Sequence, residues 1–186
     1  RYWPRYLSKL LQKSDNHSKH LKKNKKSDFY ILLYMIMDGF GFLGAGLAVA
    51  LSGIGAAVGE AMIAVAAFNS ILRNPDMRGK FMTYMILFIA LTESCAIYGL
   101  IVAFKILEVD PANMVNPYMY IAAGLAVGLS GLAVALVEWW VAKTSLDNMG
   151  KNPELSSSYM VLTILGIALI ESCAIYGLII AFKLIG

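Results

Sequence analysis

Residues 93–100 read Glu-Ser-Cys-Ala-Ile-Tyr-Gly-Leu, and residues 171–178 read the same eight letters. The offset of 78 positions that joins them also lays Glu60 on Glu138, Asn74-Pro75 on Asn152-Pro153, and Phe104-Lys105 on Phe182-Lys183. The body of the chain is therefore one unit of about 78 residues written twice, a parallel internal repeat. Working outward from the octets, four apolar runs appear, at roughly 29–72, 81–107, 118–142 and 159–185. Each exceeds the ~20 residues that a helix needs to cross ~30 Å of hydrocarbon. Open strands would leave backbone groups unpaired in lipid, so the runs are expected to be helices. Polar breaks separate them: Arg-Asn-Pro-Asp at 73–76, Val-Asp-Pro-Ala-Asn at 109–113 and Gly-Lys-Asn-Pro-Glu at 150–154. A residue before proline disfavours the helical region, so helices stop at Asn74 and Asn152.

The expected fold is an all-α membrane protein of four transmembrane helices, arranged as two tandem hairpins. Residues 1–28 form a basic N-terminal tail, 29–107 the first hairpin, 108–117 a linker and 118–186 the second hairpin. Two crossings per unit make the repeat parallel, which excludes the inverted repeats common in transporters. Composition agrees: of 186 residues, 59% are apolar and only 15% charged, against about 45–50% and 25% in soluble domains. The formal charge of +4 is uneven. Residues 1–28 hold nine Lys/Arg against Asp15 and Asp28, and the remainder holds seven against ten acids. An apolar, slightly acidic body excludes nucleic-acid binding and makes its acids the central question.

Four of those acids stand at one depth. Glu60 lies 15 residues before Pro75 and Glu93 lies 18 after it, and Glu138 and Glu171 repeat this around Pro153. At ~1.5 Å per residue, each pair sits within roughly 5 Å of a common level near the bilayer middle. An ionised carboxylate there costs at least ~2.5–3.5 kcal/mol, and no Lys or Arg stands near that depth to pair it. Two facing carboxylates must share a proton, bind a cation, or do both. Beside each second Glu stand a hydroxyl at i+1 (Ser94, Ser172) and a phenol at i+5 (Tyr98, Tyr176). Carboxylate, hydroxyl and carbonyl oxygens are the ligands a hard cation prefers. The bland alternative makes the serines back-bond to their own helix and the tyrosines interfacial aromatics.

The first helix of each hairpin also carries small residues at i, i+4, i+7 and i+11. These are Gly46, Ala50, Gly53 and Ala57 in one, and Gly124, Gly128, Gly131 and Ala135 in the other. Such a stripe lets helix backbones approach closely in lipid, which suits the inner layer of a ring; an ordinary helix pair in a bundle explains one stripe as well, but not why both hairpins have it.

Gly-rich helix, Arg/Lys-Asn-Pro-Asp/Glu loop and Glu-Ser-x-x-x-Tyr-Gly together resemble the c subunit (proteolipid) of rotary ATP synthases, over about residues 39–186. The loop is similar to F-type c subunits, and the duplication to V-type proteolipids. The resemblance implies a ring of copies of this chain, turning against subunit a, with central stalk subunits at the polar loops (Arg73, Asn74, Pro75, Lys151, Asn152, Pro153) and lipid outside. It implies that Glu93 and Glu171 carry the ion, Na⁺ or H⁺, with no organic cofactor. Ser94, Ser172, Tyr98 and Tyr176 match the hydroxyl and tyrosine of Na⁺-binding members. Glu60 and Glu138 stand where those members usually have Gln, which gives a two-carboxylate site that needs an extra proton when Na⁺ is bound. Trp139 and Trp140 occupy the positions of Ala61 and Met62, so the two sites are expected to differ in packing or affinity. The chain itself catalyses no bond chemistry. Its membrane would be a bacterial plasma membrane, or alternatively an organellar inner membrane.

Other features lead elsewhere. Gly39-x-Gly41-x-x-Gly44 has the letters of a dinucleotide fingerprint but lies inside an apolar helix rather than between strand and helix. Cys95 and Cys173 are packing residues two positions past each Glu. His17 and His20 belong to the tail, where Tyr2, Trp3, Tyr6, Leu7, Leu10 and Leu11 among lysines suggest an interfacial helix or a targeting leader. Positive charge on both tail and loops asks for one side of the membrane, whereas their topology places them on opposite sides. The rival functions are a non-rotary channel or pore-forming oligomer, an H⁺-only rotor, and a structural proteolipid with inert acids.

Overall fold

The computed structural model describes residues 25–110 and 116–186. Tail residues 1–24, with His17 and His20, and linker residues 111–115 lie outside the described residues. Among the described residues there are four α-helices: α1 Lys25–Arg73, α2 Arg78–Glu108, α3 Tyr118–Lys151 and α4 Ser156–Ile185. All four are long and apolar enough to cross a membrane, as the apolar runs predict. At ~1.5 Å per residue the 30–34 residues of α2, α3 and α4 reach about 45–51 Å, so their ends extend beyond the hydrocarbon. The described residues fall into two compact units, divided between Ile36 and Met37. In the first, Phe29, Tyr30, Leu32, Met35 and Ile36 are exposed.

In the second unit the helix ends follow from local chemistry. Pro75 forbids a helical Asn74, which takes φ −137° and ψ 79° while its N–H still bonds Ser70 O at 3.0 Å. A 3-10 turn, Pro75–Met77, then leads into α2. Asn152 repeats this at φ −130° and ψ 78°, followed by the turn Pro153–Leu155. The duplicated sequence thus gives duplicated loops. At the other end, Val109 is extended and stops α2, and Asn116 Oδ1 accepts the Tyr118 N–H at 3.1 Å at the start of α3.

The core has three layers along the helices. Ala48, Val102, Ile106, Tyr120, Ala123 and Val127 fill the end away from the polar loops. Ile63, Phe81, Phe88, Leu146, Met149 and Ile167 fill the loop end. Between them lies a thin layer of small residues: Cys95, Val134, Ala135 and Ala174. Within each hairpin the same glycine crosses the same serine. A Cβ on Gly99 would strike Ser52 and the Ala48 carbonyl, and one on Gly177 would strike Ser130 and the Ala126 carbonyl.

The two hairpins meet through α1 and α3, on faces that differ from the expectation of two like stripes. Gly124, Gly128 and Gly131 of α3 pack against α1, where a Cβ would meet Gly44 O, Leu47 O and Ser52 respectively. Ala135 is also fully buried. On α1, however, the residues turned to α3 are Gly44, Leu47, Leu51, Gly55 and Gly59. Gly46 and Gly53 have no atom within 4 Å of an added Cβ, and Ala50 and Ala57 are exposed. One stripe is used inside the chain and its copy is left outward. A single chain cannot satisfy both, because α1 has one α3 beside it.

At the loop end the hairpins are stapled by polar bonds. Ser70 Oγ donates to Leu146 O at 2.8 Å, and the Asn74 side-chain amide donates to the Gly150 carbonyl. Arg73 pairs with Asp147 at 3.3 Å, and Lys143 joins the same carboxylate at 3.0 Å.

Candidate ion-binding site

The middle layer is thin because it holds the acids. Glu138 on α3 is completely buried, and neither of its carboxylate oxygens has a hydrogen-bond partner among the described residues. It lies close enough to Glu171 on α4 to feel its charge. Glu171 is half-buried, and two hydroxyls converge on its Oε1: Ser94 Oγ donates at 2.6 Å and Tyr98 OH donates at 2.6 Å. Ser94 Oγ also lies 2.7 Å from Leu91 O, so its single proton serves one acceptor at a time.

This geometry corrects one grouping. The sequence reading sets Ser94 and Tyr98 beside Glu93, their neighbour in the chain, yet both reach across to the second hairpin and serve Glu171. Helical geometry explains why. At ~3.6 residues per turn, positions i+1 and i+5 lie about 100° and 140° around the helix from i, so they share a face that the Glu does not. That angle is legible in the sequence; which helix the face meets is not.

The other half of the repeat is open. Glu60 and Glu93 lie near enough for their charges to interact, but Glu93 is exposed. Their repeat-equivalent donors stand elsewhere: Tyr176 is 62% exposed, and Ser172 Oγ bonds Leu169 O of its own helix at 2.8 Å. One chain therefore contains one joined set, Glu171 with Ser94 and Tyr98, with the buried Glu138 near it, and two separated halves of a second. The joined set offers carboxylate and hydroxyl oxygens, the donors suited to a hard cation or a proton. Both cysteines are free thiols, Cys95 buried and Cys173 exposed.

The family described as the ATP synthase C subunit matches the chain twice, over residues 43–106 and 121–184. The A-type ATP synthase K subunit of Methanocaldococcus jannaschii is 35% identical over 145 residues, which is 78% of this chain and 61% of that protein. The ATP synthase c subunit of Clostridium beijerinckii is 49% identical over 67 residues, 36% of this chain and 93% of its own length. The 16 kDa proteolipid (c) of the V-type proton ATPase of Rattus norvegicus is 32% identical over 147 residues, 78% of this chain and 90% of its own length. Relatives of one-hairpin length thus match about a third of the chain, and longer ones match across both hairpins.

Proposed function

The chain belongs to the ATP synthase c subunit family, and from that premise we propose that it is a building block of the rotor ring and carries Na⁺, or alternatively H⁺, on its mid-membrane glutamates. The observation that supports this most strongly is the convergence of Ser94 and Tyr98 on Glu171 beside the buried Glu138. Ser94, Tyr98 and Glu171 meet near the buried Glu138, at the depth where the sequence reading puts the bilayer middle and an unneutralised carboxylate is costly. Such a set loads a cation or proton from water and keeps it while the site faces lipid. Release next to subunit a leaves a charged carboxylate that cannot return to lipid until it is reloaded. Thermal rotation is then rectified by the ion gradient and coupled to ATP synthesis or hydrolysis by the stalk at the polar loops. No residue of this chain makes or breaks a covalent bond in that cycle.

Copies of the chain complete what one chain leaves open. The face Gly46, Ala50, Gly53 and Ala57 repeats the α3 face that already packs on α1, and it is unfilled. Its complement is the outward face of α3, Ala122, Ala133 and Val137, which repeats Gly44, Gly55 and Gly59. A head-to-tail contact of this kind continues from copy to copy and closes as a ring. The same contact brings Ser172 and Tyr176 of one copy to Glu93 of the next, giving two sites per chain. In this reading the ring lies in a bacterial plasma membrane.

Carbodiimide labelling of the intact complex tests the proposal. Glu93 and Glu171 are expected to react, labelling is expected to block ATP-driven ion transport, and Na⁺ is expected to protect both residues. Labelling that no Na⁺ concentration slows at any pH would replace Na⁺ with H⁺. Conductance by a purified ring without subunit a would favour the non-rotary channel.

A further inference from the structure

The two sites of this reading are not chemically alike. Four buried polar atoms lack a hydrogen-bond partner among the described residues: both Glu138 oxygens, Thr92 Oγ1 and Trp139 Nε1. Thr92 and Trp139 meet at one junction, and none of the four atoms bonds another. A Cβ on Gly59 would meet Thr92 Cγ2 at 2.9 Å, Ala135 O at 3.2 Å and Trp139 Cβ at 3.4 Å, so α1, α2 and α3 touch there. One helical turn away from the loops, Cys95 of α2 packs with Ala135 of α3. The two helices run antiparallel, so the turn from Cys95 back to Thr92 climbs with the turn from Ala135 on to Glu138 and Trp139. Thr92 is fully buried, as is Glu138.

The Thr92 hydroxyl is also exceptional among its kind. Ser52, Ser94, Ser130, Thr163 and Ser172 all bond a carbonyl of their own helix three or four residues back. Thr92 does not, so its hydroxyl is free to serve the interface instead.

The repeat supplies the comparison. At the other site Gly59 becomes Val137, Thr92 becomes Ile170 and Trp139 becomes Ala61. Three positions change together, exchanging glycine, hydroxyl and indole for three apolar side chains, and both donors are absent from the second set.

We propose that Thr92 and Trp139 are positioning donors for Glu138, so that each chain carries one tighter ion site, Glu138/Glu171, and one weaker site, Glu60/Glu93. This rests on the carrier reading above. With a cation between Glu138 and Glu171, the Thr92 O–H and Trp139 N–H, which bond nothing in this structure, take Glu138 as their acceptor and hold it toward the ion. Glu60 faces no such donor, so its rotamer must be fixed at the moment of binding, which weakens the second site.

The test titrates carbodiimide labelling of the intact complex against Na⁺ at fixed pH and against pH at low Na⁺. Modified Glu93 and Glu171 peptides are quantified separately by mass spectrometry. Glu171 is expected to be protected at about tenfold lower ion concentration than Glu93, the lower end of what one hydrogen bond to a charged group contributes. Thr92→Val, which keeps the shape, is expected to move the Glu171 curve most of the way to the Glu93 curve and leave Glu93 in place. Thr92→Ser is expected to restore the separation, and Trp139→Phe to lower it in part. Coincident wild-type curves for both ions would overturn the inference while leaving the carrier reading intact. So would a Glu171 curve unmoved by Thr92→Val, or equal behaviour of Thr92→Val and Thr92→Ser. Failure of both residues to label would overturn the carrier reading and this inference with it.

Discussion

At Glu171 one carboxylate oxygen accepts from two hydroxyls, Ser94 and Tyr98, each at 2.6 Å. Tyr98 donates to that oxygen, and Ser94 does so whenever it releases Leu91 O, which fixes the rotamer and, in the proposed site, leaves the other oxygen for the ion. Removing the phenol oxygen removes one of these donors without opening a cavity. Tyr98→Phe is therefore expected to raise the Na⁺ concentration that protects Glu171 by about tenfold, with Glu93 unaffected. Tyr176→Phe should do the reverse, acting on Glu93 alone. Site-resolved labelling separates the two, and an effect of Tyr98→Phe on Glu93 instead would mean that Tyr98 serves its own chain neighbour after all. The carboxylates, hydroxyls and phenols are legible as chemistry from the octets. Their partnership across hairpins is not, because periodicity assigns a residue to a helix face and says nothing about which helix lies opposite.

The helices themselves are largely legible. Four apolar runs become four helices, and Asn-Pro at 74–75 and 152–153 makes two loops with nearly equal dihedral angles. The two small-residue stripes look alike in sequence, and here the structure divides them. A Cβ on Gly124 would strike the backbone of Gly44, whereas one on Gly46, its own repeat-equivalent on α1, would meet nothing within 4 Å. A stripe marks where a backbone could be approached, and only long-range packing decides whether it is. Gly124→Val is expected to force α1 and α3 apart, at a cost of about 1–3 kcal/mol typical of overpacking. A fall in the thermal unfolding temperature of the detergent-solubilised chain measures it. Gly46→Val should leave that temperature unchanged, since its side chain enters open space within the chain.

For the whole molecule, the unequal use of duplicated faces matters most. An outward stripe on α1, an outward face on α3 and a separated second ion site all call for the same neighbour, another copy in the same orientation. Gly46→Val, silent within one chain, is therefore expected to prevent assembly, read as loss of the ring by native mass spectrometry in detergent. An intact ring would place the contact elsewhere. The body's formal deficit of charge takes on a meaning in the same way: four of its ten acids, Glu60, Glu93, Glu138 and Glu171, are those of the proposed ion sites. The central claim is that those acids carry the transported ion. The measurement that tests it most directly is ATP-driven ion uptake by membrane vesicles containing the complex with Glu93→Gln and Glu171→Gln together. The account predicts that uptake is abolished while the ring still assembles; uptake at the unmodified rate would contradict it.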